Sequence, residues 1–137
     1  MADLVVTAAN VVSGTGAVTE DGTAGATITA GQLLYKDAAD SNKWKLNDGN
    51  LSQAAADIYG VALASASNNQ PLRVQTGGEY NPGATAVVGT VYVGSATAGG
   101  IAPAADLASG NFTKVWGVGK TASNIVIVNK GAGVAVP

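Results

Sequence analysis

Apolar residues fall in short bursts along this chain, not at helical spacing. Thr27 to Tyr35, Lys43 to Leu46, Ile58 to Ala64 and Pro71 to Gln75 are rich in Val, Ile, Leu, Thr and Tyr. Clusters of Gly, Asn, Asp and Pro bound each run, which predicts strands joined by turns. Lys43-Trp44-Lys45-Leu46 alternates with a period of two and is expected to pair back on the strand before it. Asp37-Ala38-Ala39-Asp40-Ser41-Asn42 reads as the turn between them. Gly31 marks a bulge or turn within the first run. Ser52 to Asp57 is the one short piece where alanines favour a helix, with a loop as the alternative.

The same plan then recurs. Ala26-Thr27 and Gly31 return in order as Ala84-Thr85 and Gly89, and Leu33-Leu34-Tyr35 returns as Val91-Tyr92-Val93. Tyr59-Gly60-Val61-Ala62 matches Trp116-Gly117-Val118-Gly119, and Leu72-Arg73-Val74 matches Val126-Ile127-Val128. A conserved order of glycine, apolar triplet, aromatic-glycine and apolar strand implies a duplicated β unit. The pseudo-repeats are 26–76 and 84–130, joined at Pro82-Gly83. They are expected to share one core, because so few residues cannot bury enough surface alone. The expectation is an all-β domain over 26–137, a compact β-barrel or β-sandwich built from two similar units.

Residues 1–25 differ. Leu4 to Val6 and Val11-Val12 are apolar, but Ser13-Gly14-Thr15-Gly16 and Glu20-Asp21-Gly22 break the pattern. The segment reads as an extended N-terminal arm, with an edge strand and hairpin as the alternative. An arm implies that its removal leaves the β body folded.

Composition narrows the chemistry. The chain has 137 residues, of which 26 are alanine and 19 glycine, while seven are aromatic. It contains no Cys and no His. Disulfides, thiolate metal sites, imidazole bases and histidine triads are therefore unavailable. Arg73 is the single arginine, so bidentate phosphate clamps are scarce. Charged residues make up 12%, about half the usual share, and the net charge is −2. A nucleic-acid binder needs clustered cations, and here they are scattered apart from Lys43 and Lys45. Low charge predicts a surface partly covered by protein. Asp3 and Asn10 interrupt any export signal, and no apolar run reaches the length of a membrane span, so synthesis in a cytoplasm is expected.

Local motifs are weak. Gly119-Lys120-Thr121 resembles the end of a phosphate loop, but Lys114 stands where the first glycine belongs and Asn124 to Val128 reads as a strand. Asp37, Asp40, Asn42 and Asp48 lack the alternation and closing Glu of a calcium loop. Glu20, Asp21, Asp57, Glu79 and Asp106 are the carboxylates that a hydrolase would need to bring together. Asn50-Leu51-Ser52 and Asn111-Phe112-Thr113 match the glycosylation triplet. Trp44, Tyr59, Tyr92 and Trp116 read as core, and Trp44 or Tyr80 is the expected platform if the chain binds sugar. No catalytic residue, metal or cofactor is expected.

Gly31-Gln32-Leu33-Leu34-Tyr35, the Asp-rich turn after it and Tyr59-Gly60-Val61-Ala62-Leu63-Ala64-Ser65 share a style with small phage proteins. So do Gly89-Thr90-Val91-Tyr92-Val93, Ala98-Gly99-Gly100-Ile101 and Trp116-Gly117-Val118-Gly119. On these motifs, residues 26–130 resemble the head decoration (cement) proteins of tailed bacteriophages. The resemblance implies a mostly β homotrimer on the outer capsid surface, at or near three-fold positions. It implies the major capsid protein as partner, and a clamp that stabilises the expanded shell against packaged DNA. No individual functional residue carries over. Leu4, Val5, Val6, Val11 and Val12 of the arm are the expected capsid contacts. The alternative role is a phage fibre or a receptor- or carbohydrate-binding module.

Overall fold

A computed structural model of the chain describes residues 3–112 and 114–130. Residues 1–2 of the expected arm, Thr113 of one glycosylation triplet and residues 131–137 lie outside them. The strands are β1 (Val11–Ser13), β2 (Val18–Thr23), β3 (Leu33–Asp37), β4 (Lys43–Leu46), β5 (Gly60–Ala62) and β6 (Pro71–Gly77). There follow β7 (Glu79–Pro82), β8 (Val91–Gly94), β9 (Ile101–Pro103), β10 (Val115–Thr121) and β11 (Asn124–Lys130). Ser52 to Asp57 forms a single turn: the Ala56 N–H reaches the Ser52 carbonyl at 3.0 Å and the Ala55 N–H reaches Ser52 Oγ at 3.1 Å. No helix among the described residues is long and apolar enough to cross a membrane.

The strands form two antiparallel sheets, and their orders carry the duplication. One runs β2-β6-β5-β3-β4 and the other β1-β7-β11-β10-β8-β9. Without β1, the second order is the first one repeated, strand for strand. Each unit thus begins one strand earlier than the sequence pattern suggested, at β2 and at β7. β4 pairs back on β3 as expected, with Asp37 opposite Lys43 and Lys36 opposite Trp44.

Backbone bonds at one turn repeat as well. Gln32 donates to the Thr29 carbonyl at 3.2 Å, and Thr90 to that of Val87 at 3.1 Å. Gly31 donates to Ala62 and Gly89 to Gly119, each at 2.8 Å; the return bonds, Ala62 to Gln32 and Gly119 to Thr90, are each 3.0 Å. Gly31 and Gly89 have φ of +92° and +80°, in the region that a residue with a Cβ enters at a cost. The glycines that anchored the repeat in sequence are there to make this turn.

The sheets pack face to face as a sandwich. Leu33, Ile58 and Val61 from the first unit meet Tyr80, Tyr92, Ile101, Trp116 and Ile125 from the second. The five-stranded sheet is buried on its other face too. Leu34, Trp44, Ala62, Leu72 and Val74 point away from the shared core and are roofed by Ala24 and Ile28. Successive strand residues face opposite ways, so Leu33-Leu34 and Val61-Ala62 each serve both clusters. Trp44, on the edge strand β4, also meets the chain leaving the opposite edge strand β2. Ala24, just past β2, bridges Trp44, and the Gly25 N–H bonds the Trp44 carbonyl at 2.7 Å. A Cβ on Gly22 would lie 2.8 Å from the Trp44 ring, so a glycine is needed beside it. That bridge is isolated and makes no ladder. Of the two expected architectures, the sandwich forms and the closed barrel does not.

The first 25 residues are tied into this body. Leu4 bonds the Ile101 carbonyl at 2.9 Å and its side chain packs on the shared core. Thr7 bonds the Gly83 carbonyl at 2.7 Å. β1 pairs with β7 at the rim of one sheet, whereas β2 pairs with β6 in the other. Residues 4–13 therefore run along the edge, with one 3-10 turn at Ala8–Asn10, and residues 18–23 are a sheet strand. β1 and β2 are thus edge strands of different sheets, not a hairpin with each other, and β2 also brings Ala24 into a buried cluster, so residues 1–25 supply a paired strand to the body.

Candidate interaction surface

The carboxylates that a hydrolase would bring together are instead kept apart, most of them with a cation each. Lys36 lies 3.1 Å from Glu20, Arg73 2.8 Å from Asp21, and Lys120 2.9 Å from Glu79; Asp57 pairs with Lys114. Asp106 lines a separate small hollow with Asp3 and Asn111. Among the described residues, no three carboxylates gather as a metal site would need. Asp37 and Asp40 of the acidic turn are held by Lys45, at 2.8 and 3.2 Å. Asp37 also accepts the Ala39 N–H at 3.0 Å, which is a turn residue bonding its own backbone. Lys120 and Thr121 end a strand, so Gly119-Lys120-Thr121 is no phosphate loop.

These pairs shift the acids as ion pairs should. A hydrogen bond from Tyr59, then the Lys36 ammonium, hold Glu20 below the ordinary carboxylate range. Arg73 does the same for Asp21, and Lys45 for Asp37. Lys36 also sits 4.2 Å from the centre of the Tyr59 ring, a cation–π contact. None of these acids is raised toward neutrality, as a general acid would be.

Neither aromatic expected as a sugar platform is on the surface. Trp44 is 1% exposed and Tyr80 fully enclosed, so the face expected for sugar stacking is inside the protein. Trp116 and Tyr92 are buried as expected, while Tyr59 is half-buried beneath Lys36.

What the surface does present is valine. In the six-stranded sheet, Val118 lies opposite Val126 on one side and Val91 on the other. Directly opposed residues share a face, so the three form a row across β8, β10 and β11. Val91 is 38% exposed and Val128, two residues beyond Val126, is 40% exposed. The row ends at Glu79, opposite Val126, whose carboxylate takes Lys120.

A second uncharged area lies at the sheet's rim. A groove of about 590 Å³ is lined by Val5 and Val12 together with Asn10, Asn81, Thr85 and Ser123, so most of its exposed lining is polar. No residue lining it is charged. Just beyond Thr85, Val87 and Val88 stand out at the repeated turn.

No protein-family model matches the chain, and no curated protein is significantly similar to it. Function must therefore be argued from these surfaces.

The five expected contact residues divide. Leu4, Val6 and Val11 are half-buried against the body; Val5 and Val12 are exposed, at 86% and 57%. The row Val91–Val118–Val126 escaped the sequence reading, because only sheet register makes distant residues neighbours. Val87-Val88 was within reach, since the repeat sets these valines against Thr29-Ala30 of the first copy.

Proposed function

We propose that this protein is a structural subunit that docks on a larger protein shell, as a decoration protein on the outer surface of a phage capsid, with the major capsid protein as partner. The observation that carries the reading is the uncharged valine row Val91–Val118–Val126 on the outer face of the six-stranded sheet. A partly exposed apolar stripe on a sheet face, with Val118 and Val126 half-buried and Val91 exposed, suits a broad protein contact better than a small ligand. Residue chemistry points the same way: the chain has neither His nor Cys, and Glu20, Asp21, Asp37, Asp57 and Glu79 are tied to cations. Many weak contacts repeated over a shell hold firmly without any one being strong. The resemblance of residues 26–130 to head decoration proteins supports the same role, and with it a virion location and a homotrimer.

With Leu4, Val6 and Val11 turned inward, the shell contact passes from the N-terminal segment to the sheet face. The test is sedimentation with expanded capsids, followed by a cryo-electron map of the decorated particle. Val118→Asp is expected to weaken attachment by roughly tenfold or more, from the loss of about 1.5–3 kcal/mol of apolar burial. Leu51→Asp, at a remote exposed position, is the control. Equal attachment of both variants, or a map with the six-stranded sheet facing solvent, sinks this reading.

A further inference from the structure

The two copies of the repeated turn differ in what covers them. In the first unit, a Cβ placed on Gly31 would meet Val6 at 2.5 Å and Val11 at 3.0 Å. The N-terminal segment thus lies directly on that turn, and Ala30 at its tip is buried. In the second unit, Gly89 has the same backbone conformation and the same hydrogen bonds, yet nothing lies within 4 Å of its Cβ position. Val87 and Val88 replace Thr29 and Ala30 there, and they are 56% and 67% exposed. The bare turn is therefore more apolar than the covered one, the reverse of what solvent exposure favours.

The segment that covers the first turn has a bare side of its own. Val6 and Val11 face inward, while Val5 and Val12 line the uncharged groove at the rim. One chain thus carries an uncovered valine turn and, in Val5 and Val12, two uncovered valines beside a polar groove. Valines of this same segment already cover the first turn, from its inner side.

We propose that a second copy of this chain seats its Val87–Val88 turn against Val5 and Val12 of the first. The contact joins two different patches, so each copy offers one of each to its neighbours, and rotation decides whether the set closes into a ring. The internal template argues for this occupant: the chemistry that fills the first turn is this chain's own. The contact would supply the self-association that the homotrimer of the proposed function needs, while its test involves no capsid and so fails or succeeds separately from shell attachment.

The experiment is analytical ultracentrifugation of the full chain, whose monomer mass is 13.4 kDa. The wild-type protein is expected to sediment as an oligomer. Val88→Asp and Val5→Asp are each expected to lower the mass to that of the monomer. An equimolar mixture of the two variants keeps one good turn and one good Val5–Val12 pair, and is expected to regain a dimer. Leu51→Asp is expected to change nothing. Both test positions are on the surface, and unchanged circular dichroism and melting confirm folding. A wild-type monomer at the highest soluble concentration, a Val88→Asp oligomer of unchanged mass, or a mixture that stays monomeric would each overturn the proposal.

Discussion

Trp116 donates its indole N–H to the Tyr80 hydroxyl at 2.8 Å, with both side chains fully buried and the rings edge to face, 6.0 Å apart. Tyr80 belongs to β7 and Trp116 to β10, which flank β11, so the bond ties together strands that do not pair directly. The indole N–H has no other acceptor in this core, so Tyr80→Phe strands it. The expected cost is about 1–3 kcal/mol, seen as a lower urea midpoint and a lower melting temperature.

Burial also pushes the Tyr80 phenol above its ordinary value. The unfolded chain releases this proton near pH 10, whereas the native protein keeps it. Above that pH the unfolded state binds fewer protons, so stability falls as pH rises. Denaturation between about pH 9 and pH 11 is expected to show a steeper loss for wild type than for Tyr80→Phe. Parallel curves would show that Tyr80 does not drive the loss.

The twin glycines give a paired prediction. Gly31→Ala and Gly89→Ala both place a Cβ at positive φ, costing about 1–2 kcal/mol each. Only at Gly31 does the new atom also strike Val6 and Val11. Gly31→Ala is therefore expected to destabilise the protein clearly more than Gly89→Ala in urea titrations.

Truncation separates the parts of the N-terminal segment. Removing residues 2–10 takes the packing of Leu4 and Val6 but leaves both sheets paired. That variant is expected to keep its β-sheet circular dichroism and melt at a lower temperature. Removing residues 2–25 deletes β2 and Ala24 and exposes the edge of β6, and is expected to give an unfolded or aggregating chain.

At acid pH the ion pairs give way. Glu20, Asp21 and Asp37 have lowered native values, so their contribution is present above the unfolded value near 4 and disappears as pH falls through the native one. Urea midpoints are expected to be lower at about pH 3 than at about pH 7, and Glu20→Gln is expected to narrow the gap.

Local chemistry was readable along the chain. Gly31 and Gly89 announce their turns because only a residue without a Cβ takes that φ freely. Lys43 to Leu46 shows its strand because burial on one face imposes a period of two. β2 was legible only as the edge-strand alternative for residues 1–25, because Val18-Thr19-Glu20-Asp21-Gly22-Thr23 is largely exposed and no apolar face marks it as a strand. Its place depends on hydrogen bonds to β6, a partner distant in sequence.

Amino-acid order alone determined the all-β character, the doubled unit and the absence of thiol and imidazole chemistry, since these follow from residue types and their near neighbours. Tertiary structure alone decided that Val91, Val118 and Val126 form a row, that Trp44 and Tyr80 are enclosed, and that one twin turn is covered while the other is bare. Strand register and packing join residues across long loops, and no local pattern carries that information.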